Sequence, residues 1–350
     1  MSSTRFPADR LTEFASSALQ AVEVQPEHAD ITATRLVEAD ARGRTGHGLI
    51  RLGPYIDRIE AGGVNLSPNI AVLRETPTSA LIDGDNGLGQ VIMTQAAELA
   101  IEKAQTSGMA WIGTTRSNHA GAAGLYPLLA AQQNLISMYF AVANANGMAP
   151  WGGTDSLLGT NPISIGIPAK DSSPFLLDIA TTQTSHGTIK VHAQSGQEMP
   201  VGWVADADGN PITDPTRAHE GMLLPMGGYK GSGLNISIGL LAGALNGAAF
   251  LSSVIDHRIE PSTPTNTGQA IFVMRPDLFQ PGDDALESLA AHMDELRTSA
   301  TPDGTPVRLP GDTAAATAKE SESLGVAVSP AVVDALSQLA ARLGVDELTG

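Results

Sequence analysis

The chain has 350 residues, of which 42% are hydrophobic and only 4% aromatic, with 37 acidic against 20 basic side chains and a formal net charge of −17. That length carries one large domain or two with a sizeable core, and the acidity argues against nucleic acid or anionic membrane as a partner. With no cysteine, disulfides, thiolate nucleophiles and Cys-ligated zinc or iron–sulfur centres are excluded.

Apolar residues at helical spacing predict helices over 8–22 (Leu11, Phe14, Ala15, Ala18, Val22) and 27–42 (Ile31, Leu36, Val37, Ala41), the second ended by Gly43. A third helix is expected over 49–61, with His47 at its start and Arg51 and Tyr55 on successive turns of one face. Residues 80–83 read as a strand, 84–87 as a turn, 90–105 as a helix, 109–113 as a strand, 122–133 as a helix and 136–142 as a strand. This alternation predicts an α/β layer, with His119 in a strand-to-helix connection, where such layers often place ligands. Further strands are expected at 163–167, 175–179 and 270–274, and helices at 233–250, 283–297 and 330–343. The polar stretch 299–325 reads as a surface connection. The opening residues lack an apolar signal core, and the apolar stretch 233–251 is broken by Asn235, Ser237, Asn246 and glycines. A cytoplasmic protein with no membrane span is therefore expected.

Two histidines stand in glycine-rich settings. In Gly46-His47-Gly48-Leu49-Ile50-Arg51, His47 offers a proton near neutral pH and Arg51 a fork for a carboxylate. Four residues apart on a helix, the two would face one ligand; spacing alone favours a surface pair at a helix start. In Ser117-Asn118-His119-Ala120-Gly121, the free N–H groups of a helix start would suit a phosphate, or His119 simply caps that helix. Gly227-Gly228-Tyr229-Lys230-Gly231-Ser232-Gly233 puts a cation on a glycine loop before an apolar helix, which is either an anion cradle or a plain turn. Asp178, after a strand, could cap a helix or bind a hydroxyl. The Rossmann fingerprint is missing, because Gly84-Asp85-Asn86-Gly87-Leu88-Gly89 has the wrong spacing. The remaining histidines show no ligand spacing, and no metal site is expected.

Taken in order, Ala39-Asp40-Ala41-Arg42-Gly43, His47 to Leu52, Ser117-Asn118-His119, Pro150-Trp151-Gly152-Gly153, Leu158 to Pro162, Gly202-Trp203, Leu224 to Gly231 and Val307 to Gly311 span nearly the whole chain. This ordered set resembles the malate/L-lactate dehydrogenase family, which includes sulfolactate dehydrogenase, ureidoglycolate dehydrogenase and Δ1-piperideine-2-carboxylate reductase. The resemblance implies a non-Rossmann α/β fold, with a mixed sheet and flanking helices. It implies a homodimer with shared active sites, and NAD or NADP as cofactor. The reaction it implies is hydride transfer between nicotinamide and a small 2-hydroxy or 2-oxo carboxylic acid of the malate, lactate or sulfolactate type.

By matching position, His47 would give or take the proton and Arg51 would hold the substrate carboxylate. His119 would lie at the nicotinamide, orienting it or serving as the acid–base group. Thr160 would touch substrate. His119, Ala120, Gly121, Ala122, Ala123, Asp178, Ile179, Ala180, Gly228, Lys230, Arg308, Pro310 and Gly311 would contact the cofactor. The implied organisation is a helical segment with the substrate-side His and Arg over 1–75, a cofactor-binding α/β core over 76–260, and a strand and helices over 261–350 packing back on the first segment. Some positions depart from the family pattern. Gly46 stands where many relatives carry a proton-relaying Ser, Thr188 stands in a usual Gly-Lys-Ile, Ser232 replaces a Tyr, and Gly239 replaces a Glu. Gly46 favours reduction of a cyclic or N-substituted imine acid as an alternative. The departures together motivate a second alternative, a cofactor-binding protein without turnover.

Overall fold

The structure, a computed structural model, describes residues 3–281 and 283–348. A short strand β1 (Thr4–Phe6) leads into helices α1 (Ala8–Gln20), α2 (Pro26–Ala41) and α3 (Leu52–Glu60). Helix α1 buries Leu11, Phe14, Ala15, Ala18 and Leu19 against Ala29, Ala33, Leu36 and Val37 of α2. Each buried Leu contributes about 2 kcal/mol to that layer. Pro26 fits the first turn of α2, where no N–H is needed. Gly43 takes the left-handed φ of +74° on which the chain leaves the helix.

The chain then runs through β2 (Ala71–Thr76), β3 (Ser79–Asp83), α4 (Gly89–Ser107), β4 (Met109–Ser117), α5 (Leu125–Ala131), β5 (Ile136–Ala141), β6 (Ile163–Ile167) and β7 (Phe175–Ile179). Next come α6 (His186–Ser195), the short pair β8 (Val204–Ala205) and β9 (Met222–Leu223), α7 (Tyr229–Ile238) and β10 (Thr267–Met274). Helices α8 (Asp284–Arg297) and α9 (Asp312–Leu324), strand β11 (Val326–Val328) and helix α10 (Pro330–Leu343) complete it. Seven strands form one sheet in the order β2-β3-β4-β10-β5-β6-β7. Only β3 and β4 are parallel; the other neighbours run antiparallel. This is the expected mixed sheet with flanking helices, and it has none of the continuous parallel order of a Rossmann domain. Helix α4 lies on it through Ile92, Met93, Ala96, Ala97 and Ala100, facing Ile112, Ile271 and Val273. The alanines let helix and sheet approach closely.

The termini meet. Strand β11 pairs antiparallel with β1, and Leu336, Leu339 and Ala340 of α10 join the core of α1 and α2. The central sheet crosses both expected boundaries, since β2 begins before 76 and β10, its middle strand, lies after 260.

Three element expectations are corrected. The helix expected from 49 begins at Leu52, because Gly48 has ψ −147° and breaks the turn before it. The helix expected over 233–250 ends at Ile238 and continues as a wide π turn over Gly239–Gly243 and a tight one over Ala244–Asn246. There the Phe250 ring lies over Gly239, where a Cβ would come within 1.9 Å of it. The stretch expected as a connection over 299–325 contains α9. Its buried face consists only of Ala314 and Ser321, too little apolar surface to give a periodic signal. Among the described residues, no helix is long and apolar enough to cross a membrane.

Candidate active site

The first histidine stands on a pinned loop. After α2 the chain makes two single 3-10 turns, Thr45–His47 and Leu49–Arg51, before α3. His47 and Arg51 therefore do not share the face of one α-helix, as their spacing suggested. Arg51 instead folds back, its Nε donating to the Gly46 carbonyl at 2.7 Å. Asp40 fixes the loop from below: its Oδ2 accepts the Leu49 N–H at 2.7 Å. Gly48 must be glycine here, because a Cβ would lie 2.2 Å from the Asp40 carboxyl. Burial pushes the Asp40 pKa up to about 6 against that one backbone hydrogen bond.

The second histidine follows β4. Asn118 anchors its loop by donating to the Gly87 carbonyl at 2.7 Å. The expected helix start at His119 is not formed, since α5 begins at Leu125. The loop instead sets the His119 ring parallel to that of His47, with centroids 5.9 Å apart and planes 4° apart. Tyr55, from the first turn of α3, places its hydroxyl 2.6 Å from His119 Nδ1. Gln90, from the first turn of α4, donates its amide to the same Tyr55 oxygen at 2.9 Å. The Gly121 N–H also points at Nδ1, at 3.3 Å. Because the Gly121 N–H is aimed at Nδ1, that nitrogen is the acceptor and Tyr55 donates to it, so neutral His119 carries its hydrogen on Nε2. Burial pushes Tyr55 up to about 12, which keeps it a donor.

Cations set the charge state of the pair. His47 keeps an exposed edge, but crowding by the surrounding protein, then the guanidiniums of Arg51 and Arg44, push it down to about 4. His119 is held well below its ordinary value by burial first, then by His47, Arg51, His257 and Arg58. Both rings are neutral at pH 7.

The other expected site residues fall into two neighbouring groups. In one, Asn161, Asn235 and Thr181 tie two loops to helix α7. Asn235 donates to Thr181 Oγ1 at 2.7 Å and to the Gly159 carbonyl at 2.8 Å, and the Thr160 carbonyl accepts from Thr181 N at 3.0 Å. Gly228, with φ +67°, caps α7 beneath the Trp151 ring, and Lys230 stands exposed in the first turn. In the other, the Pro310 carbonyl accepts from Leu176 N at 2.9 Å and Gly311 abuts the same residue, so 310–311 packs on β7, the strand that carries Asp178 and Ile179. Exposed Arg308 belongs to this loop. Residues 120–123 connect His119 to Gly124, which packs on Asp178, and Arg44 comes within 3.9 Å of Asp178. Among the described residues, Thr160, Lys230 and Arg308 make no hydrogen bond or ion pair with His47 or His119. No group of three or more His, Cys, Asp or Glu residues there could hold a metal ion.

Sequence reasoning missed Asp40, Arg58, Gln90 and His257 as site residues, and placed Tyr55 only on the helix face. Gln90, set beside the apolar run Val91-Ile92-Met93 at the start of α4, was the one legible signal.

Residues 6–337 match the malate/L-lactate dehydrogenase family profile. The malate dehydrogenase of Pyrococcus horikoshii is 36% identical over 98% of this chain and 97% of its own. The NAD(+) ureidoglycolate dehydrogenase of Escherichia coli K12 is 34% identical over 77% of this chain and 76% of its own. The solved structure of sulfolactate dehydrogenase from Methanocaldococcus jannaschii superposes with a TM-score of 0.89 at 32% identity, covering 98% of both chains. Matching these proteins along its sequence and in its fold, the chain belongs to the malate/L-lactate dehydrogenase family, whose dehydrogenases act on hydroxy acids with nicotinamide cofactors.

Proposed function

We propose that His47 and His119 form the proton-handling pair of a dehydrogenase acting at C2 of a small 2-hydroxy or 2-oxo acid, with Arg51 gripping the carboxylate. The observation that carries this reading is the parallel arrangement of the two imidazoles, with His119 Nδ1 held by Tyr55. When bound, the nicotinamide supplies or takes up the hydride. In the oxidative direction a neutral histidine removes the hydroxyl proton, and in the reductive direction a histidine N–H protonates the nascent alkoxide. The carboxylate compensates the Arg51 charge. Its arrival therefore raises the affinity of the His47 ring for a proton, so substrate binding prepares the acid form of that ring.

The residues present fit a dinucleotide. Exposed Lys230 and Arg308 are cations suited to phosphates on a strongly acidic chain. Gly228 holds a left-handed turn just before Lys230 at the start of α7, and Gly121 leaves its backbone approachable between the inward-packed Ala120, Ala122 and Ala123, which we assign to the same cofactor. We assign Asp178, Ile179, Ala180, Pro310 and Gly311 to the same cofactor and Thr160 to the substrate. The stretch 76–260 is the cofactor-binding core, completed by β2 and β10. We further assign a homodimer. Val72 and Leu73 of edge strand β2, and Leu240 and Leu245, are 46%, 54%, 51% and 66% exposed. Leu245 lines a cleft of about 310 Å³ with residues of β2 and β3. Such apolar exposure fits a partner subunit. We place the enzyme in the cytoplasm, with the nicotinamide pool.

A cyclic imine acid is the second substrate class, favoured by Gly46, since a protonated C=N needs no hydroxyl relay at that position. Fluorescence titration with NADH and NADPH, followed by an absorbance screen of keto and imine acids, tests the assignment and separates NAD from NADP. Cofactor binding with no turnover on any acid would sink it.

A further inference from the structure

Among the described residues, four buried side-chain polar atoms lack a hydrogen-bond partner, and three of them belong together: Arg58 Nε, Gln90 Oε1 and His257 Nδ1. Their residues line one small cavity of about 20 Å³, next to Tyr55 and His119. Neither His47 nor Arg51 lines it, so it is distinct from the space those two address. A cavity of this volume holds a single water, and a buried water is stable with two to four polar partners. The cavity offers four. Arg58 Nε–H and His257 Nδ1–H can donate to a water, Gln90 Oε1 can accept from it, and the Tyr55 hydroxyl stands at its wall. His257 is half-buried and so partly exposed to solvent, its ring centroid 6.3 Å from that of His119.

We propose that this cavity binds one ordered water, which extends the Tyr55–His119 hydrogen bond to His257 and makes His257 the outer end of a proton path. The proposal rests on His119 being an acid–base group. In reduction, His119 gives its Nε2 proton to the substrate oxygen and takes a proton at Nδ1 from the Tyr55 hydroxyl. Tyr55 is refilled from the water, the water from the Nδ1–H of neutral His257, and His257 takes a proton at Nε2 from solvent. Each N–H or O–H bond broken is replaced by one formed. The net transfer is one proton from solvent, through His257, to the product, and no electrons move along the chain. His119 changes tautomer and never has to become a cation. That matters beside Arg51 and Arg58, both of which oppose a positive imidazole. His257 itself faces Arg58, Asp256, Arg258, Arg51 and the His119 ring. Oxidation runs the same chain backward.

The test joins a crystal structure of the full chain, 15N spectra of its histidines, and kinetics of His257→Phe and His257→Gln. We expect density for one water in the cavity, and a His119 spectrum of the tautomer with hydrogen on Nε2. Both variants should lose about tenfold in kcat at unchanged KM, with a larger solvent deuterium isotope effect. His257→Gln still holds the water but cannot relay a proton, so it stands as the test if the phenylalanine disturbs folding. A dry cavity, or wild-type kcat and isotope effect in His257→Gln, overturns the proposal. If the wild-type chain turns over no acid at all, the reaction assigned above is at fault, while the crystal and the spectra still decide the water and the tautomer.

Discussion

The hydroxyl of Tyr55 stands 2.6 Å from Nδ1 of His119, and the same oxygen accepts the Gln90 amide at 2.9 Å. One phenol on α3 thereby fixes the ring orientation and the tautomer of a histidine 64 residues away. Tyr55→Phe keeps the volume but removes both hydrogen bonds and strands the Gln90 amide in a buried place. We expect kcat to fall about tenfold or more and stability to drop by about 1–3 kcal/mol. Steady-state rates and urea denaturation check this, and a variant with wild-type kcat would remove Tyr55 from control of His119.

Arg51 should govern substrate affinity. Losing a charge-assisted hydrogen bond to a sequestered carboxylate costs on the order of 2–4 kcal/mol. Arg51→Met should therefore raise KM for the acid by about thirtyfold or more, with cofactor affinity unchanged. An unaltered KM takes the carboxylate role away from Arg51.

Removing the His47 imidazole should affect the chemical step. His47→Asn keeps a polar side chain but cannot exchange a proton near neutral pH, so kcat should fall by about 10²–10⁴-fold. Fluorescence titration should give an unchanged cofactor affinity. Full activity in this variant would leave His119 as the only proton carrier.

The pH profile follows from the depressed histidines. His47, at about 4, is neutral in the free enzyme through the neutral range. The oxidative kcat/KM should thus stay flat from about pH 6 to 8, while the reductive kcat/KM should rise as the pH falls toward 4. In Arg51→Met the loss of a neighbouring cation should move that rise to higher pH. A reductive profile centred on the ordinary histidine value in the wild type would contradict the charge arrangement. Stability carries the same sign: a histidine depressed on folding binds more protons when unfolded, so its contribution is lost as pH falls from about 6.5 to 4.

Asp40 acts in the opposite sense. Its pKa is raised to about 6, so the folded chain holds this proton more tightly than the unfolded one. That contribution is present below about pH 4 and is lost as pH rises through 6, by about 3 kcal/mol for a shift of this size. Asp40→Asn keeps the acceptor for Leu49 and carries no charge. It should be more stable than the wild type at about pH 8 and no more stable at about pH 4, as read by urea midpoints. Equal midpoints at the higher pH would mean the carboxylate is comfortable where it is.

Much of the frame was legible along the chain. Leu11, Phe14, Ala15 and Ala18 repeat at helical spacing, and strands 163–167 and 175–179 were bounded correctly, because local periodicity reports which face a segment buries. His47, Arg51 and His119 stood out for a local reason as well, each being a functional group set among small residues. Order along the chain could not say that Thr267–Met274 enters the middle of the sheet, since strand pairing is a long-range choice made by the whole core. Nor could it say that His47 and Arg51 meet through a broken turn in place of a helix face. That was settled by Asp40 taking the Leu49 N–H and leaving Gly48 no room for a side chain. The tautomer of His119 and the cavity beside it arise from α3, α4 and the loop bearing His257, three segments far apart in sequence. Hydrogen bonds between such segments leave no periodic trace, so only packing in three dimensions fixed which atom of each group faces which.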